Sequence, residues 1–271
     1  MLKLALFFHI IFIISLNANI LQDAIDKAPS GSILKLPAGV YGGNITIDKP
    51  LSIIGKESGA IIDGGGNGTV ITIKSSFVTL KNLKIINSGS RHENIDSAII
   101  LSDAKQCEIS NCIIEDCLFG VDLRMVRNSI LYNNKISSKN VELGLRGDGI
   151  RLWYSHDNII KKNHLSKSRD MVVWYSHGNE ITENFGEYCR YSLHFMNAGK
   201  NIVKNNYYQY NSVGIFFMYS KDTIATGNTI KSSLGTTGMG IGLKDVSNFT
   251  IKELYIRIVC PKLVCVLIYF M

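Results

Sequence analysis

Sulfur and imidazole side chains fall at one repeated place in this chain. When residues 149–165, 171–186, 193–208 and 214–230 are read as successive lines of a repeat, Trp153, Trp174, Met196 and Met218 occupy one equivalent position. His194 stands two residues before Met196, and Phe216 two before Met218. Residues two apart on extended backbone share a face, so His194, Met196 and Met218 are candidates to hold one ion together. Thioether and imidazole donors suit copper(I) better than Zn²⁺, Ca²⁺ or Mg²⁺, because soft ligands prefer soft ions. Arg151 sets the phase. A guanidinium does not belong in an apolar interior, so Arg151 and Trp153 are expected to face outward while Ile150, Leu152 and Tyr154 face inward. The outer strip of Arg151, Trp153, Trp174, His194, Met196, Phe216 and Met218 is then an apolar patch of the kind that marks a binding surface. The opposite phase would pack these residues inside. Met125 is a weaker candidate ligand, and His156 and His177, in two Tyr-Ser-His triplets, are assigned to turns.

The element that must position these side chains is itself a repeat. The lines Val70 to Ile86, Ala98 to Ile114 and Gly120 to Ile136 precede the four above, and an Asn recurs at Asn82, Asn111, Asn134, Asn163, Asn184, Asn206 and Asn228. The intervals are 29, 23, 29, 21, 22 and 22 residues, the two long ones carrying polar insertions at Ser88–Asp96 and Ser137–Asp148. A period of about 22 with short alternating strands predicts an all-β fold, a single-stranded right-handed parallel β-helix of about ten coils, pectate-lyase-like in form. Stacked coils lie ~4.8 Å apart, so equivalent residues form ladders. The recurrent Asn is expected at a tight turn, bonding its amide to the next Asn where Asn tolerates left-handed backbone.

The chain of 271 residues divides on this reading into three parts. Residues 1–18 read as a secretory signal peptide, with Lys3, an apolar run from Leu4 to Ile14, and a cut after Ala18. That predicts a periplasmic protein in a disulfide-permissive compartment. Residues 19–252 form the solenoid, opened by a short capping helix over Ile20–Ala28 and by coils at Gly31–Ile47 and Leu51–Ile62. Residues 253–271 are an atypical apolar tail or truncated end. A membrane anchor there is disfavoured by Pro261 and by its length. With 46% hydrophobic and 19% charged residues the composition excludes disorder, and a net charge of +7 without any Arg/Lys run does not point to nucleic acid. The six cysteines lack zinc spacing. Cys107, Cys112 and Cys117, five apart, are expected as core thiols or one local disulfide.

Several strings in this frame resemble the NosD family, the periplasmic partner of an ABC transporter that matures nitrous oxide reductase. They are Arg146 to Ser155 (RGDGIRLWYS), Ser168 to Met171 (SRDM), Arg190 to Met196 (RYSLHFM) and Gly214 to Ser220 (GIFFMYS). The resemblance implies a non-enzymatic role in copper supply to the reductase. Its implied partners are an ABC transporter ATPase and membrane permease, together with the reductase or a copper chaperone. The competing reading is a polysaccharide lyase, hydrolase or epimerase acting on acidic sugar polymers. Such an enzyme needs aligned acid/base carboxylates. Asp122, Asp148, Asp170 and Glu187 take different places in the repeat, so no catalytic residue is assigned. Arg124, Arg151 and Arg169 could still line a cleft for an acidic sugar. A third reading is a structural surface solenoid.

Overall fold

The computed structural model describes residues 20–56, 59–235, 238–257 and, for the backbone alone, 16–19 and 267–269. Three parallel sheets of ten strands each wind around one axis, and every third strand in the chain pairs with its predecessor in the same sheet. The first sheet runs from Ser32–Leu36 to Thr250–Lys252, the second from Gly39–Gly42 to Tyr255–Arg257, and the third from Ile45–Ile47 to Leu267–Tyr269. This is the expected right-handed β-helix. The reason lies in the strands themselves. Many are three residues long with only the central side chain buried, as in Ile159–Lys161, Glu180–Thr182 and Ile202–Lys204. Such a strand buries too little alone and is stabilised only by coils above and below.

The core is a set of vertical columns. Ile160, Ile181 and Val203 stack from the first sheet, and Leu152, Val173, Phe195 and Phe217 from the third. Phe195 and Phe217 stack with centroids 4.7 Å apart. Gly186 is the small partner of Tyr208, since a Cβ there would lie 2.9 Å from the Tyr208 ring. The helix Leu16–Lys27 closes the first coil, burying Leu21 and Ile25. Its Gln22 caps the open sheet edge by accepting from the Thr46 N–H (2.8 Å) and donating to the Thr46 carbonyl (3.1 Å). This helix begins before the expected Ile20, and includes Ala18. Residues 1–15 of the proposed signal peptide lie outside the described residues. At the far end, Tyr255–Arg257 still pairs in register with Thr229–Lys231, so ladder pairing extends past residue 252.

The corners hold the amide ladders, and here the sequence reading needs correcting. Asn134, Asn163, Asn184, Asn206 and Asn228 are fully buried, and each of the first four amides donates to the next side-chain carbonyl at 2.9–3.1 Å. The same oxygen also accepts the backbone N–H of the residue one coil below, as Asn163 does from Asn134. Asn82 and Asn111 are not members. They sit one position earlier, at φ near +55°, where Asn133, Lys162, Glu183 and Asn205 follow in later coils. The ladder residue itself is therefore not the left-handed one. Cys112 takes the ladder slot below Asn134, its N–H bonding to the Asn134 carbonyl. A second ladder, Asn158–Asn179–Asn201, runs along another corner with amide contacts of 3.1 and 3.2 Å.

Cys107, Cys112 and Cys117 occupy three corners of a single coil, each buried as a free thiol, and Cys189 is buried and free in a later coil. Burial pushes the thiols of Cys112, Cys117 and Cys189 up to about 12, which marks them as inert core groups. Cys260 and Cys265 lie outside the described residues.

Removing one rung tests this arrangement. Asn163→Ala strips partners from the Asn134 amide and N–H, the Leu131 carbonyl and the Asn184 carbonyl. It is expected to cost about 3 kcal/mol and roughly 6–12 °C of melting temperature. Lys162→Asn, on the adjacent left-handed residue, should change stability by less than about 0.5 kcal/mol. Differential scanning calorimetry of both variants distinguishes a buried ladder from a surface turn.

Candidate functional site

The long loops leave from one corner only, between the second and third sheets. The insertions after Leu83–Ile86 and after Lys135–Ser138 both end where a third-sheet strand begins. They meet one another, with the His92 ring nitrogen 3.0 Å from the Leu145 carbonyl. Loops fixed on a rigid scaffold are where binding groups concentrate, and these rim the outer face of the third sheet.

That face carries the residues singled out by sequence. The register runs Arg124, Trp153, Trp174, Met196, Met218 and Lys244 in one column, and Asp122, Arg151, Val172, His194 and Phe216 in the neighbouring one. Arg151 and Trp153 face outward while Ile150 and Leu152 are buried, so the outward phase holds. Tyr154 is the exception. It is a left-handed turn residue, 46% exposed, stacked on Tyr175 at 4.9 Å rather than packed inside. Met125 is likewise an exposed turn residue. His156 and His177 stack at 5.4 Å, and the His177 N–H donates to His156 Nδ1. Burial, with Arg127 nearby, lowers the His156 pKa.

The second column is more enclosed than the exposed patch expected from sequence. Val172 is fully buried and His194 only 7% exposed. The imidazole is boxed by Tyr191, Trp174 and Phe216 at centroid distances of 5.0, 5.9 and 6.0 Å. Neither His194 ring nitrogen has a hydrogen-bond partner, and the nearest ionised group is Asp170, 3.7 Å from Nδ1. A buried imidazole with unspent lone-pair and N–H capacity is available to a ligand. Trp153 and Trp174 meet edge-on at 6.0 Å, and the Arg151 guanidinium lies 5.2 Å over Trp153. Met196 and Met218 are direct neighbours on paired strands and half-buried. Adjacent strands lie ~4.8 Å apart, a separation two flexible thioether arms can span around one ion. Among the described residues no cluster of three His, Cys, Asp or Glu side chains fits a metal.

Sequence reasoning missed what surrounds His194. Asp170 pairs with Tyr191 but Val172 pairs with His194, so the strand Tyr191–Met196 carries one extra residue. This bulge places Tyr191 beside His194 on the outer face, although their spacing of three would put them on opposite faces of a regular strand. The lengthening of the repeat from 21 to 22 residues at this coil was the available signal. The carboxylates are also tied down. Arg169 grips Asp148 through Nε and Nη2 at 2.9 and 3.2 Å, Arg190 grips Asp170 likewise, and Asp122 is shared by Arg124 (2.6 Å) and Arg151 (3.5 Å). Glu187 lies on the second sheet with His164 and Gln209. Asp170 therefore pairs with Arg190, not with the Arg169 that precedes it.

Residues 132–264 match the family model described as periplasmic copper-binding protein (NosD). This half of the chain is NosD-family sequence. Residues 67–190 match a model for the right-handed β-helix region. The probable ABC transporter binding protein NosD of Pseudomonas aeruginosa is 33% identical over 137 residues, which cover 50% of this chain and 32% of that relative. The protein of the same description from Stutzerimonas stutzeri is 32% identical over 138 residues, covering 50% of this chain and 31% of that one. The match thus spans about a third of the length of these NosD relatives. A family 28 exopolygalacturonase from Yersinia enterocolitica superposes with a TM-score of 0.75 at 10% identity, covering 89% of this chain and 62% of that one. That likeness is one of fold. All the candidate ligands lie inside the NosD-matched residues.

Two of the buried carboxyls, Asp148 and Asp170, respond to their settings in opposite directions. Burial pushes Asp148 up against the opposing pull of Arg169. Burial also raises Asp170, but the neighbouring His194 imidazole, 3.7 Å away, and the Arg190 guanidinium that grips it outweigh burial and hold the carboxyl below its usual range. A depressed carboxyl stabilises the fold above its unfolded pKa of about 4 and loses that contribution as pH falls through the folded value. Urea unfolding across pH 3–7 should accordingly show an acid loss of stability that is shallower in Asp170→Asn than in the parent protein. Equal slopes would mean that Asp170 does not stay ionised in the fold.

Proposed function

We propose that this protein is a periplasmic β-helix that binds copper on the outer face of its third sheet, as a non-enzymatic partner of an ABC transporter in maturing nitrous oxide reductase. The observation that carries the reading is the in-register pair Met196 and Met218, with His194 beside them as a buried imidazole whose nitrogens are unspent. His194, Met196 and Met218 are the metal ligands on this reading. Arg151, Trp153, Trp174 and Phe216 complete the binding surface. Two thioethers and an imidazole favour a soft monovalent ion and disfavour hard divalent ones. The aromatic box does separate work: it shields the imidazole from water, holds its ring orientation and keeps competing hydrogen bonds away. The description of the family as copper-binding and periplasmic supports the ion and the compartment, and the names of the two relatives support an ABC transporter as partner.

The enzyme alternative needs a free acid/base pair. Asp122, Asp148 and Asp170 are each held by at least one guanidinium, which leaves the copper reading the better supported one.

Anaerobic Cu(I) titration against a chromophoric chelator tests the site. Met196→Leu combined with Met218→Leu should weaken binding by roughly 10–100-fold, and His194→Ala alone by at least about 10-fold. Both changes should also lower the copper content of co-expressed nitrous oxide reductase. Wild-type Cu(I) affinity in both variants would rule out this ligand set.

A further inference from the structure

Beside His194 the bulged strand opens a second feature. A cleft of about 560 Å³ lies between the loop at Leu143 and the third sheet, lined by Arg169, Arg190, Tyr191, Phe216 and Met239 among others. The bulge builds it. Tyr191, Val213 and Met239 stack in register along the displaced column, while Arg169 and Arg190 stack in the column before. The volume is that of a small-molecule site, mostly apolar with few polar groups.

Two observations give the cleft a charge preference. Arg169 and Arg190 each spend Nε and Nη2 on a buried carboxylate, which fixes the fork and leaves the Nη1 edge without a carboxylate. Their side chains remain 27% and 41% exposed. Arg124, Arg151, Arg169 and Arg190 share the three carboxylates of Asp122, Asp148 and Asp170, so these guanidiniums exceed the carboxylates that hold them by one charge. Arg146, which lines the adjoining hollow on the other side of Leu143, has no ion-pair partner among the described residues. The floor is flat and aromatic, with Tyr191 and Phe216 stacked at 5.9 Å and the Arg190 guanidinium 4.7 Å over Tyr191.

We infer that this cleft binds a ring-bearing organic carboxylate, its single negative charge on the Arg169–Arg190 edge and its ring against Tyr191 and Phe216. A pre-oriented guanidinium discriminates a planar carboxylate by geometry as well as charge. Such a ligand could be a uronate sugar or an aromatic acid; both present the same group to the arginines. The site is separate from the copper ligands, and the test uses metal-free protein, so the two readings fail independently.

Calorimetric titration with galacturonate, benzoate, the neutral isostere benzamide and sulfate decides the matter. One carboxylate should bind with Kd below about 10 mM, at least tenfold tighter than benzamide or sulfate. Tight galacturonate binding identifies the uronate source, and tight benzoate binding the aromatic one. Arg190→Lys keeps the charge on Asp170 but loses the fork, and should weaken binding about tenfold. Met239→Glu, at a half-exposed position on the cleft wall, places a like charge in the cleft and should abolish binding. Absence of binding by both carboxylates, sulfate binding as tight as carboxylate, or full binding in Met239→Glu would each overturn the inference.

Discussion

Every coil of this solenoid must turn corners, and each corner leaves backbone N–H groups pointing along the stack with no strand partner. Unpaired buried amides are costly, so the fold depends on a side chain that can accept from one coil and donate to the next. Asn does both with a single short side chain. The buried run from Asn134 to Asn228 and the parallel run from Asn158 to Asn201 are that solution repeated. Where Cys112 or Ser129 takes the slot, the N–H is still bonded by the residue one coil above. The ladders also fix the rise per coil, and through it the spacing of everything displayed outside.

This rigid spacing makes the outer face usable. Met196 and Met218 come from paired strands whose separation is set by the ladder, and the columns on the interior side, Phe195 on Phe217, are packed at the same rise. A single inserted residue before His194 then breaks the monotony locally. It redirects Tyr191 to the outer face, encloses the imidazole, and leaves a cleft where a regular coil would present a flat strip. The ladders are insensitive to this change because the extra residue sits within a strand, between corners.

Much of this was legible from residues alone. The period, the outward phase of Arg151 and the stacking of Trp153, Trp174, Met196 and Met218 follow from two-residue alternation, which a parallel sheet of identical rungs transmits without distortion. Three things were not. The Asn column could not be told from its neighbour at Asn82 and Asn111, since the left-handed residue and the ladder residue are adjacent and both favour Asn. Tyr154 looked like an interior residue because alternation gives no sign of where a strand ends in a turn. The enclosure of His194 depends on a bulge and on Asp–Arg pairs that join residues 20 to 21 positions apart. Pattern matching along one line does not see partners on the next.

The buried arginine–aspartate pairs also bear on why this face is more than a smooth wall. Desolvating a charge pair rarely stabilises a protein more than an apolar pair of the same volume would. Three such carboxylates within a few coils, at Asp122, Asp148 and Asp170, are therefore poorly explained by stability. Their effect is positional. Each carboxylate holds a guanidinium against the sheet, so Arg151 is kept over Trp153 and Arg190 over Tyr191. The same pairs set a charge close to the imidazole, with Asp170 3.7 Å from His194. A face built this way has fixed aromatic rings, fixed cations and a shielded imidazole. It spends folding energy on orientation, which is the expense that binding a small ligand or ion would otherwise have to meet.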